Sequence, residues 1–389
     1  MNTAKRPWLT RNLLILSLVS LTQDAAAELM YPLMPLFLTG VLAAPAIALG
    51  AVEGVAELVA GLSKFLAGRA SDRIGSKKLI STGYGLAAIG KVFVASAAAW
   101  PTVLLGRSID RVGKGVRSAP RDAMITSAVD QEHFSKALGF HRSADTLGAV
   151  LGPIFALIGL SLLNNNVRAV MWWAIVPALL SLLLTLFIKE TRKPNRATDT
   201  RAKVKLPPTF WKAAIPLIAM SAVNIPDTLL LLRLSQLGVS ATNVVLAYIA
   251  FNAVYTLSAY PAGIIASRYR PRSVYAAGML AFGVTYFFIG RFQHDGVLLF
   301  VVVAAFGLFP ALTDGIGKSI VAHSTPRELH GTAQGVFQSL AGGSILVAGL
   351  WAGALWSLGR GHGSLPFTIA GILGVVSAGY LYFDGKRTA

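Results

Sequence analysis

The sequence predicts an all-α membrane protein of twelve transmembrane helices, arranged as two pseudo-symmetric six-helix bundles. Three observations carry the prediction: the chain is poor in charge, its apolar residues come in long blocks, and its basic residues favour alternate loops. Of 389 residues, 54% are hydrophobic and 13% charged, with a mean hydropathy of +0.61. Soluble domains carry roughly 25% charged residues, so a water-facing surface of this size cannot be clothed. About 20 helical residues cross a hydrocarbon layer of ~30 Å, and the apolar blocks reach that length. They are continuous and lack the two-residue alternation of barrel strands, so helices are expected.

The expected spans are 12–38, 44–67, 79–99, 102–126, 137–161, 168–188, 211–235, 242–266, 274–292, 297–322, 332–357 and 364–383. The first follows Lys5, Arg6 and Arg11 and includes Ala25-Ala26-Ala27, which resembles a leader-peptide cleavage site. The apolar run resumes at Leu29 and is long enough to span, so the segment is read as a helix that stays in place. With the N-terminus inside, cytoplasmic loops carry Arg69, Arg73, Lys77 and Lys78, then Lys136, then Lys189 to Lys212, then Arg268, Arg270 and Arg272, then Arg327. Outer loops carry only Arg168, Arg291 and Arg360. This is the positive-inside pattern of an even number of spans with both termini cytoplasmic. It also accounts for the net charge of +18 without nucleic acid as a partner.

The stretch 189–209 is basic, contains Pro194, Pro207 and Pro208, and divides the chain near its middle. It reads as a cytoplasmic linker between a bundle of residues 1–188 and one of residues 210–389. The halves resemble each other faintly: Ala67-Gly68, Arg73 and Gly83 align with Ala262-Gly263, Arg268 and Gly278. Weak repetition of this kind marks transporter folds whose site lies at the repeat interface.

Ionisable residues inside spans are functional candidates, because hydrocarbon does not tolerate them. Span four carries Arg107, Asp110, Arg111, Lys114, Arg117, Arg121 and Asp122. At 100° per residue these share one stripe of roughly 140°, which must face a cavity or partner charges. Asp24 and Glu28 lie four apart on span one, Glu53 and Glu57 four apart on span two, and Lys64 on the same face as that second pair. Lys91 lies in span three, and span five opens with His141, Arg142 and Asp145. Cations and anions nearly balance, which equally suits structural pairing. The second half is sparser, with Asn224 and Asp227 around Pro226, Arg233, and Asp314 four residues before Lys318. Pro226 removes a backbone donor, so the segment is expected to break there, making Asp227 either an ion or proton site or a group bonded to freed backbone.

Other chemistries find little support. There are no cysteines, and the six histidines lack metal-ligand spacing. Gly315-Ile-Gly317-Lys318-Ser319 lacks the leading glycine of a phosphate loop, since Leu312 stands in its place. No nucleophile–base set stands out, so an enzyme is not expected, and no cofactor or resident metal is implied. Asp24, Glu28, Glu53 and Glu57 leave divalent-cation transport open as an alternative.

Gly68-Arg-Ala-Ser-Asp72-Arg73-Ile-Gly75-Ser-Lys77-Lys78 resembles the loop motif after helix two of the major facilitator superfamily. Arg111 followed by Gly115 partly matches that family's helix-four pattern, and Gly148-Ala-Val-Leu-Gly152-Pro153 resembles its helix-five antiporter motif. A narrower likeness, carried by Asp24, Glu28, Tyr31-Pro32, Asp110 to Arg117 and Pro120-Arg121-Asp122-Ala123, is to a bacterial efflux-permease subgroup with some members linked to siderophore export. The resemblance implies alternating access about a midplane site, with Asp72 locking the cytoplasmic side. The expected gating set is Gly68, Asp72, Arg73, Gly75, Arg121, Asp122, Gly148, Gly152 and Pro153.

Combining residues and resemblance, the expected function is proton-coupled export of a small, anionic organic molecule. The expected substrate contacts are Arg107, Asp110, Arg111, Lys114, Arg117, Arg142, Asp145 and Asn224, because guanidinium forks suit carboxylates. The expected proton carriers are Asp24, Glu28, Glu53, Glu57 and Asp227. Proton-linked uptake of an organic acid or sugar is the main alternative. The expected setting is a monomer in the bacterial cytoplasmic membrane.

Overall fold

The computed structural model describes residues 9–127, 129, 134–190, 205–326 and 329–387. Within these, the side chains of residues 65, 67–74, 119, 123, 126, 127, 134–136, 138, 139, 260, 267, 330, 331 and 384–387 lie outside the description. The described chain is helical and contains no strand. The helices are α1 (Arg11–Met30), α2 (Ala46–Ile74), α3 (Ser76–Ser96), α4 (Trp100–Ser127), α5 (Phe134–Leu162), α6 (Val167–Trp173) and α7 (Ile175–Thr185). They continue with α8 (Pro208–Ser221), α9 (Asp227–Gln236), α10 (Ala241–Arg268), α11 (Pro271–Arg291), α12 (Val297–Phe306), α13 (Leu308–His323), α14 (His330–Ala354) and α15 (Ser364–Arg387).

Ten helical stretches among the described residues are long and apolar enough to cross a membrane. Two expected spans fail that criterion for different reasons. Span 102–126 forms as the long helix α4, but its charges keep its hydropathy low. Span 211–235 is interrupted between α8 and α9.

Proline explains the interruptions. A proline nitrogen cannot bond the carbonyl four residues back. Pro177 releases Trp173, where α6 ends; Pro226 releases Ala222, just past α8; Pro310 releases Phe306, where α12 ends. The expected continuous helices 168–188, 211–235 and 297–322 are therefore each two helices end to end. Span 12–38 likewise stops being α-helical at Met30. Pro32 sits in a 3₁₀ turn, Tyr31–Leu33, and a π-helical turn, Leu36–Val41, follows. Thr10, Asn166 and Ser240 cap α1, α6 and α10 by accepting from the backbone N–H three residues on.

Contacts divide the chain into two units. The first holds residues Met1–Phe37 and Val59–Lys203, the second Leu38–Leu58 and Val204–Ala389, so α2 contributes residues to both. In the first unit, α3 packs on α4 and α5 on α1 at glycine contacts. A methyl group at Gly83 or Gly90 would strike the backbone of Gly113 or Gly106, and one at Gly148 or Gly152 would strike α1 at Leu21 or Ala25. Glycines of this kind permit close helix approach inside a membrane. Leu13, Leu16, Val19, Ile80, Tyr84, Met124 and Ile125 fill the space beside these seams.

In the second unit, Gly283 meets Gly371 between α11 and α15, and Gly50 of α2 meets Gly349 of α14. Its centre is aromatic. Phe282 and Tyr286 lie 4.2 Å apart, and Phe306 and Phe367 each lie 4.9 Å from Tyr286.

Candidate functional site

The α4 stripe turns inward within the first unit. Arg107, Asp110 and Arg117 are buried, Arg111 and Arg121 half-buried, and Lys114 and Asp122 exposed. The upper part of the stripe is tied to structure. Lys91 Nζ of α3 donates to Asp110 Oδ1 at 2.9 Å, and both side chains are buried. The Arg107 guanidinium sits 5.7 Å from the centre of the Tyr31 ring.

Lower down, the cations meet rings and hydroxyls. The Arg117 guanidinium lies 4.4 Å over the Tyr84 ring, and its Nη1 donates to the Gly83 carbonyl at 3.5 Å. Arg121 Nη1 donates to Ser20 Oγ at 2.8 Å, and its Nε to Asp122 Oδ1 at 3.1 Å. Ser20 Oγ is also 3.2 Å from the Tyr84 hydroxyl and 3.4 Å from His141 Nε2, while His141 Nδ1 is 3.4 Å from Ser17 Oγ. One buried network thus joins α1, α3, α4 and α5.

The acids border this network. Asp145 Oδ1 lies 3.7 Å from His141 Nε2, and Asp145 Oδ2 lies 3.8 Å from exposed Arg142. Asp145 Oδ1 is buried and accepts no hydrogen bond among the described residues. Half-buried Asp24 lies in the field of Asp145, Lys114, Arg117 and Arg121. Glu28 is half-buried one turn further along α1. Gly148 and Gly152 make the α5 surface that presses on α1 at Leu21, Ala25 and Glu28, and Pro153 is buried beside them in the same helix.

Other anticipated residues fall elsewhere. Buried Glu53 and half-buried Glu57 belong to the part of α2 that contributes to the second unit. Gly68, Asp72 and Arg73 lie in the last turns of α2, with their side chains outside the described residues. Gly75 has φ +92°, the left-handed region that glycine tolerates, and turns the chain from α2 into α3. Lys77 anchors that turn, its N–H donating to Glu190 Oε2 at 2.9 Å and its Nζ to the Leu186 carbonyl at 3.0 Å.

In the second unit, Asn224 and Asp227 flank the α8–α9 break. The carbonyl that Pro226 releases, Ala222, accepts from Trp351 Nε1 at 2.9 Å, and the Ile225 carbonyl accepts from the Tyr286 hydroxyl at 3.0 Å. Ring-borne donors therefore satisfy these two carbonyls. Asn224 Oδ1 is buried with no hydrogen bond among the described residues. Asp314 Oδ2 accepts from the Tyr255 hydroxyl at 3.3 Å. Among the described residues no group of three or more acids or histidines is placed to hold a metal ion.

Reading charge alone missed Ser17, Ser20 and Tyr84, and named His141 without giving it a role. The signal was present: Ser17, Ser20 and Asp24 recur at helical spacing on one face of α1.

The family model of the Major Facilitator Superfamily matches residues 16–233 and again residues 213–389. The chain belongs to this superfamily. Its members are transporters, and this chain is a membrane transporter rather than an enzyme. It is 27% identical over 386 residues to an uncharacterized transporter of the superfamily from Methanocaldococcus jannaschii, covering 96% of this chain and 95% of that one. A probable 4-methylmuconolactone transporter of Cupriavidus pinatubonensis is 27% identical over 177 residues, 45% of this chain and 41% of that protein. The crystal structure of the nucleoside transporter NupG matches with a TM-score of 0.76 at 15% identity, over 96% of this chain and 98% of that chain. This likeness concerns the fold alone.

Proposed function

We propose that this transporter exports a small, anionic organic molecule in exchange for protons. The observation that carries the reading is the α4 patch. Arg117 and Arg121 meet a tyrosine ring, a carbonyl, a serine and the exposed Asp122, while Asp24 and Asp145 lie within the same electrostatic neighbourhood. Cations held by weak partners can take up a carboxylate, and acids sharing that field can take up a proton. Substrate and proton then compete for one set of charges, which is the minimum an exchanger needs. Lys114, Arg111 and Arg142 extend the patch, whereas Asp110 enters it already paired to Lys91. Glu28, Glu53, Glu57 and Asp227 are secondary candidates for the proton path, and Asn224 for the substrate.

The proposed architecture has twelve crossings in bundles of residues 1–188 and 210–389, joined by the linker 189–209. It works as a monomer by alternating access in the bacterial cytoplasmic membrane, with both termini cytoplasmic. The segment from Gly68 to Gly75, together with Arg121 and Asp122, would gate the cytoplasmic side. Gly148, Gly152 and Pro153 would carry the rocking of α5, as in the antiporter motif they resemble.

The test uses purified protein in liposomes with a pH-sensitive dye inside and a panel of organic anions, 4-methylmuconolactone among them, with cationic drugs and divalent metals as alternatives. The expected result is that at least one organic anion dissipates an imposed pH gradient and that Asp24→Asn does not support this flux. Flux at full proton dependence in Asp24→Asn would overturn the proton assignment. Proton movement with a divalent metal alone would replace the anion reading with metal transport.

A further inference from the structure

The second unit carries a narrow cleft where α8, α11, α13 and α15 meet. It lies at the end of the unit where the linker arrives. There α8 begins beside the end of α13, and Thr209 Oγ1 donates to the Ser324 carbonyl at 2.8 Å. Two cations line the cleft, the exposed Lys212 of α8 and the half-buried Arg272 of α11. The apolar lining residues Leu217, Ile320 and Leu381 are buried. Among the described side chains no acid lines it.

The backbone adds charge of the same sign. Helix α8 starts at Pro208 and α11 at Pro271, so both turn their positive ends towards this region. Neither helix has an acidic residue in its first turn or a side chain capping its N-terminus. Instead Arg272 stands in the first turn of α11, and Lys212 directly follows the first turn of α8. A cation is unfavourable at the positive end of a helix. Two helix ends and two side chains of one sign around one cleft therefore favour an anion between them.

Aromatic residues give the depth of the cleft in the bilayer. Trp211 precedes Lys212, and Tyr380, Tyr382 and Phe383 flank Leu381 in α15; all four are exposed. Exposed tryptophan and tyrosine near the ends of spans sit at headgroup level. One turn beyond Trp211, Ile215 is also exposed and offers an apolar surface to acyl chains. A free inorganic anion would use the cations alone, whereas a phospholipid uses both the cations and the adjoining apolar face. Basic pockets between transmembrane helices are known hosts of anionic headgroups.

We infer that this cleft holds the phosphate of an anionic phospholipid between Lys212 and Arg272, with the acyl chains laid along Ile215. The lipid joins the starts of α8 and α11 and is separate from the transported substrate and from any coupled proton.

The experiment titrates brominated phosphatidylglycerol into the purified full chain in micelles of an uncharged detergent, with brominated phosphatidylcholine as the neutral comparison. Bromine quenches nearby tryptophan, and the difference between each protein and its Trp211→Phe counterpart isolates the signal from the cleft. Phosphatidylglycerol should quench Trp211 saturably and at a lower mole fraction than phosphatidylcholine. Each basic side chain at an anionic surface is worth roughly a factor of five in affinity. Lys212→Gln should therefore lose roughly fivefold of the preference for phosphatidylglycerol, and Lys212→Gln/Arg272→Gln more. Unfolding temperatures measured without lipid establish that the variants are folded. Lys212 is exposed, so the single variant decides the matter if the double variant does not fold. An undiminished preference in folded Lys212→Gln, or equal binding of the two lipids by the unaltered protein, would overturn the assignment. Displacement of phosphatidylglycerol by inorganic phosphate, beyond that caused by sodium chloride of equal ionic strength, would overturn the lipid in favour of a free anion.

Discussion

Two buried charges illustrate what a single residue can be asked to do. Arg233 is 1% exposed and pairs with no carboxylate among the described residues. Its guanidinium donates instead to four carbonyls: Ile289 at 2.7 Å, His362 at 2.6 Å, Gly290 at 3.2 Å and Phe292 at 2.7 Å. Three of these close the C-terminal end of α11, where helix carbonyls lack partners and positive charge is favoured. Arg233→Met should destabilise the protein by on the order of 3 kcal/mol, since each buried acceptor left dry costs about 1–3 kcal/mol. Thermal unfolding in detergent checks this, and an unchanged midpoint would refute the capping role. Lys91 and Asp110 pose the complementary case. Removing one partner strands a buried charge, at about 3–5 kcal/mol, whereas replacing both with apolar residues is often neutral. Asp110→Leu alone should therefore unfold at a lower temperature than Lys91→Met/Asp110→Leu. If the double variant is stable and still transports, Asp110 is scaffold; if it is stable and inactive, Asp110 belongs with the substrate contacts.

At the scale of elements, proline and glycine decide most of what happens. Gly90 and Gly106 bring α3 and α4 into backbone contact, and that contact delivers Lys91 to Asp110 and Tyr84 to Arg117. Gly90→Leu should force the helices apart, costing about 1–3 kcal/mol or more by overpacking, and should weaken substrate binding through displaced Arg117. Unaltered stability and unaltered binding together would show that the seam does not position the site. The α8–α9 break has the opposite character. Pro226→Ala restores a backbone donor, and the ring donors Trp351 and Tyr286 then compete with a continuous helix for the carbonyls of Ala222 and Ile225. The expected outcome is unchanged or higher thermal stability with slower transport, read from the midpoint and the transport rate of the same preparation.

At the scale of the whole molecule, the distribution of lysine and arginine sets the topology prediction. The linker 189–209 should lie on the cytoplasmic side, and the turn at Asn164-Asn165 on the outer side. Single cysteines placed in this cysteine-free chain report it directly. Asn165→Cys should react with an impermeant thiol reagent added to intact cells, and Thr198→Cys only after the membrane is opened. The reverse pattern would invert the charge argument. Residue-scale and element-scale effects meet here, because charges on α4 are tolerable only if partner groups or a water-filled cavity receive them.

Much of this was legible before any coordinates. Ten of the twelve span positions, the charge stripe of α4 and the break at Pro226 follow from local rules of spacing, hydropathy and proline chemistry, whereas Gly148 to Pro153 is legible only as a resemblance to a family motif. These rules act within a few residues of the chain, so the sequence by itself determines them. Contacts between distant segments belong to the tertiary structure alone. Asp110 could have faced substrate or a partner, and only the approach of α3 shows Lys91 beside it. Ser20 carries no charge to announce it, yet packing makes it the meeting point of Arg121, Tyr84 and His141. Gly90, where a side chain would strike the backbone of Gly106, is the clearest instance. A glycine is silent in sequence, because close packing and empty space call for the same missing side chain, and only the arrangement of neighbouring helices decides which of the two it serves.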